Sequence, residues 1–235
     1  MGEISDGFIE AVTLIVTLDP EILEIAGRSM YVSVAATLVA ALIAIPLGAL
    51  IYYYDFHGKR AVINIVQTLY ALPTVIVGLL VYLLVSYSGP LGSLNLLYTT
   101  NAMIIAQVIL VSPLIVGFTI AGLSGLDKEM KYTTLALNAR AYRAILTLVR
   151  EAKFAILSAV VLAFGRAIAE VGAVMMVGGN IRHFTRTLTT AITLNTSMGD
   201  FAMSIALGII LLTIALIVNL GVNVLQHYNG RMKDE

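Results

Sequence analysis

Five apolar runs limit what this chain can become. A helix that crosses a bilayer needs about 20 consecutive apolar residues. The runs at 30–54, 61–87, 102–123, 152–178 and 201–225 all meet that length. Apolar residues make up 59% of the 235-residue chain and charged residues 12%. A soluble domain is nearer half apolar and a quarter charged. The chain is therefore read as an all-α integral membrane protein. Its formal net charge is zero, which gives no reason to expect a nucleic-acid partner. It has no cysteine, so disulfides, thiolate nucleophiles and cysteine metal sites are excluded.

A shorter apolar run, 8–18, is cut off by Asp19-Pro20 and followed by Glu21 and Glu24. It has about half the length of a span, so residues 7–26 are expected to form a helix lying along the membrane surface or against the bundle, with a short sixth span as the alternative. The acidic start (Glu3, Asp6, Glu10) lacks the basic region of a cleavable signal peptide. The expected division is an interfacial segment at 1–28, a transmembrane domain at 29–227 and a tail at 228–235.

Lys and Arg are enriched on the cytoplasmic side of membrane proteins. Lys59 and Arg60 follow the first span. Lys128, Lys131, Arg140, Arg143, Arg150 and Lys153 follow the third, and Arg231 and Lys233 follow the fifth. Only Arg28, Arg182 and Arg186 fall on the other side. This bias predicts an outside N-terminus and a cytoplasmic C-terminus. Pro46, Pro73 and Pro113 sit inside the first three runs. Mid-helix prolines kink a helix, and three of them suggest a bundle enclosing a pathway.

Arg166 and Glu170 lie inside the fourth run. Charges within a membrane are costly and point to function by default. Their four-residue spacing places them on one helix face, where they are expected to pair. Arg182, His183 and Arg186 follow that run and are placed to attract an anion at the outer mouth, to meet an acidic partner, or to be simply solvated. Gly165, Gly172, Gly208 and Gly221 suit close helix approach. Thr68, Thr74, Ser112 and Thr119 could line a wet route for a tetrahedral oxyanion, but such hydroxyls more often bond their own helix backbones, and they are not named as ligands. There is no phosphate-cradling Gly-x-x-x-x-Gly-Lys-Ser/Thr loop, so the chain is not expected to bind ATP itself. The three histidines are scattered, and neither a metal site nor a catalytic constellation emerges; no cofactor is expected.

The most patterned polar segment is the loop at 128–151. Basic residues alternate there with apolar Leu135, Leu137, Ala141, Ile145 and Leu148, which reads as short amphipathic helices built to dock. From Tyr132 to Glu151 the segment resembles the "EAA" loop of ABC-transporter permease subunits. The opening triplet falls on Tyr132, Thr133 and Thr134, the bend glycine on Asn138, and the tail on Leu148, Arg150 and Glu151. The acid, the glycine and the closing proline are all replaced. Asparagine is nonetheless among the residues least penalised in a left-handed bend. Beyond the loop, the Arg166-x-x-x-Glu170-x-Gly172 string followed by Gly179-Asn180 is similar to permeases for molybdate, tungstate and sulfate. The wording at 169–174, 189–192 and 71–79 is closest to the tungstate branch, and the resemblance covers about 29–226.

That resemblance implies the transmembrane fold of a type-I ABC importer (MetI-like) with about five spans, an N-terminal surface helix and a cytoplasmic coupling helix. It implies a homodimeric permease, not itself an enzyme. Its partners would be a cytoplasmic ABC ATPase dimer, an extracytoplasmic oxyanion-binding protein and membrane lipid. Thr133, Thr134, Leu137, Asn138, Ala139, Ala141, Tyr142, Ile145 and Leu148 would then contact the ATPase. Arg166, Glu170, Arg182 and Arg186 would stand along the anion's route or its gate. Molybdate or sulfate is the alternative cargo. A stand-alone anion channel or secondary transporter is the alternative class, which would not need the docking loop.

Overall fold

The structure, a computed structural model, describes residues 2–17, 19–126 and 141–231, and among these it is helical with no strand. Helix α1 spans Gly2–Val16 and α2 spans Pro20–Tyr53. The Asp19 carboxylate accepts the Glu21 and Ile22 N–H groups at 2.9 and 3.2 Å. Pro20 occupies the first helical turn, where its missing N–H costs nothing. The single helix expected over 7–26 is thus two helices. Asp19-Pro20, which reads as an interruption, is a helix start, and α2 begins at Pro20 and not near residue 30. Helix α1 packs along the last helix, with Ala11 fully buried beside Leu188 and Leu207.

Helix α3 (Lys59–Thr68) passes through a 3-10 turn at Leu69–Ala71 and meets α4 (Thr74–Val85) at a 97° bend. Helix α5 spans Thr100–Ser124. Helix α6 (Ala141–Glu151) leads into α7 (Lys153–Ile168), which bends by 59° into α8 (Gly172–Gly178). Helix α9 covers Leu188–Met198 and α10 covers Phe201–Arg231. Among the described residues, α2, α5 and the 201–221 stretch of α10 are each long and apolar enough to span alone. The two bent pairs bring the number of spans to five if each counts as one. Pro46 and Pro113 lie inside continuous helices. Of the three prolines, only Pro73 coincides with a break, at the N-cap of α4.

The bundle is organised around α2 and α5, its most extensive interface. On α2 the buried residues Ser29, Ser33, Ala36, Ala40, Ala44 and Gly48 recur every three or four positions, a stripe of small side chains on one face. A Cβ added at Gly48 would sit 2.8 Å from the Val116 carbonyl oxygen, so the two backbones nearly touch there. Lipid tails are as apolar as leucine, so close packing of this kind, not exclusion of water, holds such helices together. Of the glycines expected at helix contacts, Gly172 meets α4, where a Cβ would lie 2.9 Å from Thr74 Oγ1. Gly165, Gly208 and Gly221 face open space. Large apolar side chains such as Leu42, Leu212 and Ile217 are more than half exposed, as a hydrocarbon-facing surface requires.

Candidate functional site

Polar groups collect at three levels of the bundle. The deepest is the break between α7 and α8. A break frees carbonyls and N–H groups that hydrocarbon cannot satisfy, so neighbours must. Gln107 Nε2 of α5 donates to the Ala167 carbonyl at 2.9 Å, and Thr189 Oγ1 of α9 donates to the Glu170 carbonyl at 2.7 Å. The buried Glu170 carboxylate accepts the Ala173 N–H at 3.0 Å, capping the first turn of α8. The expected Arg166–Glu170 ion pair is absent. Helix α7 ends at Ile168, so the four-residue spacing no longer places the two side chains on one face. Arg166 is exposed and lines a cavity of about 620 Å³ between α5, α7 and α10, together with Tyr70, Phe118, Ser158, Leu162 and Asn219. Tyr70 stacks on Phe118 with ring centroids 5.8 Å apart. Gly117 makes room for it, because a Cβ there would lie 1.4 Å from the Tyr70 hydroxyl.

The second level is the end of the bundle where α2 begins. Glu21 takes both Nε and Nη2 of Arg182, at 3.1 and 2.6 Å, and Nη1 of Arg186 at 3.4 Å. Glu24 takes His183 Nδ1 at 2.7 Å and also pairs with Arg28. Arg28 donates in turn to the Arg186 carbonyl at 3.0 Å. The bidentate Glu21 carboxylate raises the Arg182 pKa further, so this guanidinium is charged at any ordinary pH. Three guanidiniums and one imidazole thus face two carboxylates. The expected free cations at this end are mostly held by α2, leaving a modest positive excess. Two acids read from the sequence as part of an interfacial helix turn out to be their partners.

The third level is α6, at the opposite end. Ala144 and Leu148 are buried, and Leu148 with the half-buried Ile145 packs with Ala49, Tyr52 and Leu123 of α2 and α5. Leu148 and Ile145 therefore anchor α6 to its own bundle instead of lying on an open face. Ala141 is half-buried. The open side of α6 carries Tyr142 and Leu146, 58% and 48% exposed, with Arg143 donating to the Tyr142 hydroxyl at 2.9 Å. Thr133, Thr134, Leu137, Asn138 and Ala139 lie outside the described residues. Thr68 and Ser112 bond the carbonyls of Asn64 and Val108 in their own helices as expected, whereas the Thr119 hydroxyl, also expected to bond its own helix, is buried without a partner. Gln107 and Thr189 are the residues that sequence reasoning missed, although an amide inside the apolar run of α5 was a visible signal. No cluster of three metal-ligating side chains occurs among the described residues.

A family model described as "Binding-protein-dependent transport system inner membrane component" matches residues 22–228. The tungstate uptake system permease protein TupB of Peptoclostridium acidaminophilum is 43% identical over 93% of this chain and 96% of its own length. The protein of the same name from Campylobacter jejuni is 38% identical over 92% of this chain and 90% of its own. Among solved structures, a chain of a bacterial ABC transporter that imports the acidic polysaccharide alginate superposes with a TM-score of 0.73. It is 18% identical and covers 94% of this chain and 83% of its own, a likeness of fold.

Proposed function

The chain belongs to the binding-protein-dependent transport system inner membrane components, and on that premise we propose that it forms the pathway of a tungstate importer. The observation that carries the reading is the match along nearly the whole chain to two proteins named as tungstate permeases. Molybdate and sulfate are tetrahedral dianions of similar shape and remain the alternative cargoes.

Five spans do not readily enclose a gated dianion route. Two copies related by a two-fold axis supply the second wall, with the route along the axis. Residues 29–227 form the pathway domain, with the N-terminus outside and the tail at 228–235 in the cytoplasm, as the distribution of Lys and Arg favours. A separate ATPase dimer grips the 128–151 loop. Tyr142 and Leu146 on the open side of α6 continue that contact, while Leu148 and Ile145 pass its movement to α2, α5 and α7. An external binding protein delivers the anion to the end bearing Arg182 and Arg186, whose residual positive charge favours a dianion. Arg166 then supplies one guanidinium at mid-depth, with no carboxylate beside it. A single long cationic contact guides a dianion without trapping it.

The test is uptake by proteoliposomes containing the chain, its ATPase and its binding protein. ATP-dependent tungstate accumulation, competed by molybdate more strongly than by sulfate, is expected. Uptake without ATPase, or none with every component present, would overturn the proposal.

A further inference from the structure

Helix α3 has no fully buried residue. Its Val62, Ile63 and Val66 lean on a core cluster containing Ala40, Ala44, Val111 and Ile115, which are interior positions of the two central spans. Helix α3 therefore runs beside the spans, not beyond their ends. Its opposite face carries Arg60, Asn64, Gln67 and Thr68, all exposed. These residues share one side because they recur at three- and four-residue steps. The Thr68 hydroxyl bonds the Asn64 carbonyl, but the Asn64 and Gln67 side-chain amides have no hydrogen-bond partner among the described residues. Hydrocarbon offers no partner to a bare amide, so two of them facing it are strongly disfavoured. The stripe must instead meet water or another polar surface. Tyr70, in the turn that ends α3, lines the cavity that also holds Arg166.

We infer that the Arg60–Asn64–Gln67–Thr68 face of α3 is a hydrated wall of the anion route, with Asn64 and Gln67 as the amides that the oxyanion passes. This rests on the transport reading above and names the residues of its inner half. The chemistry suits a transit site. Carboxamide N–H groups donate to tetrahedral oxygens one bond at a time, without the charge that would hold a dianion in place. Arg60 and Arg166 set the sign of the potential at either side of this stretch.

The chain has no cysteine, so single cysteines can be placed in the native background. In the reconstituted complex, Asn64→Cys and Gln67→Cys are expected to react with a membrane-impermeant anionic thiosulfonate about fivefold faster than with its cationic counterpart. Saturating tungstate is expected to slow that reaction. Ile65→Cys, on the flank of the same helix, is expected to be slower with both reagents. Paired Asn64→Leu and Gln67→Leu is expected to lower tungstate uptake about tenfold. Unreactive thiols, labelling only by a lipid-dissolved maleimide, or unchanged uptake in the leucine pair would overturn the inference. If the leucine pair does not assemble, the cysteine arm decides. If the unsubstituted complex imports no tungstate, the proposed function falls, and the wall is judged on thiol reactivity and its charge preference alone.

Discussion

The α3–α4 pair bends by 97° at Pro73, whereas the α7–α8 pair bends by 59° between Ile168 and Gly172 without a proline. The first break is written locally. Proline removes an N–H and drives the residue before it out of helical geometry, and Leu72 is accordingly extended, with φ −58° and ψ 124°. The second is held from a distance, by Gln107 on α5 and Thr189 on α9, and by the Glu170 side chain folding back onto Ala173. The first leaves Gln67 and Thr68 exposed, while the second buries Glu170 with its carboxylate and its carbonyl both bonded and leaves Gln107 Oε1 without a partner. A break at proline frees one group fewer, because proline has no N–H to satisfy. A break inside a packed bundle needs partners for every group it frees.

The largest expected effect that separates these breaks is at Gln107. Gln107→Leu leaves the Ala167 carbonyl buried without a donor, which costs about 1–3 kcal/mol. Denaturant unfolding of the detergent-solubilised chain measures this, and an unchanged midpoint would break the comparison. Glu170→Leu removes the cap of α8 and is expected to cost about 1–2 kcal/mol. Glu170→Gln keeps an acceptor oxygen and is expected to lie closer to the parent in the same assay. Pro73→Ala is expected to cost less than about 1 kcal/mol, because the Tyr70–Phe118 stack and the core contacts of α3 still favour the bend. Distances between spin labels on α3 and α4 would show a straightened pair if proline alone made it. The smallest effect is a coupling. Arg166→Ala and Glu170→Ala are expected to add within about 0.5 kcal/mol in a double-mutant cycle, because the two side chains do not touch. A larger interaction energy would restore the ion pair that their spacing suggested.

Legibility followed the range of the forces involved. The spans were visible because a bilayer demands long apolar runs, and α6 was visible because its periodicity is helical. The start of α2 was misread, since Asp19-Pro20 carries the cap and first turn of a helix as well as the end of an apolar run. The loop cations were seen, but not their partners Glu21 and Glu24, which lie about 160 positions earlier in the sequence. Leu148 and Ile145 were recognised as the apolar face of a docking helix. That face turned inward, because periodicity gives a helix a side but does not say which neighbour takes it.

The sequence by itself determined an all-helical membrane chain, the approximate course of its five apolar stretches and, through its wording, its family. Each of these is set by interactions between residues near one another or by the solvent around the chain. Only the tertiary structure decided that Arg166 stands apart from Glu170, that Gln107 and Thr189 hold the second break, and that Glu21 and Glu24 hold the loop cations. Those outcomes depend on which groups meet when distant helices pack, and a buried polar group takes whatever partner the packing brings within reach.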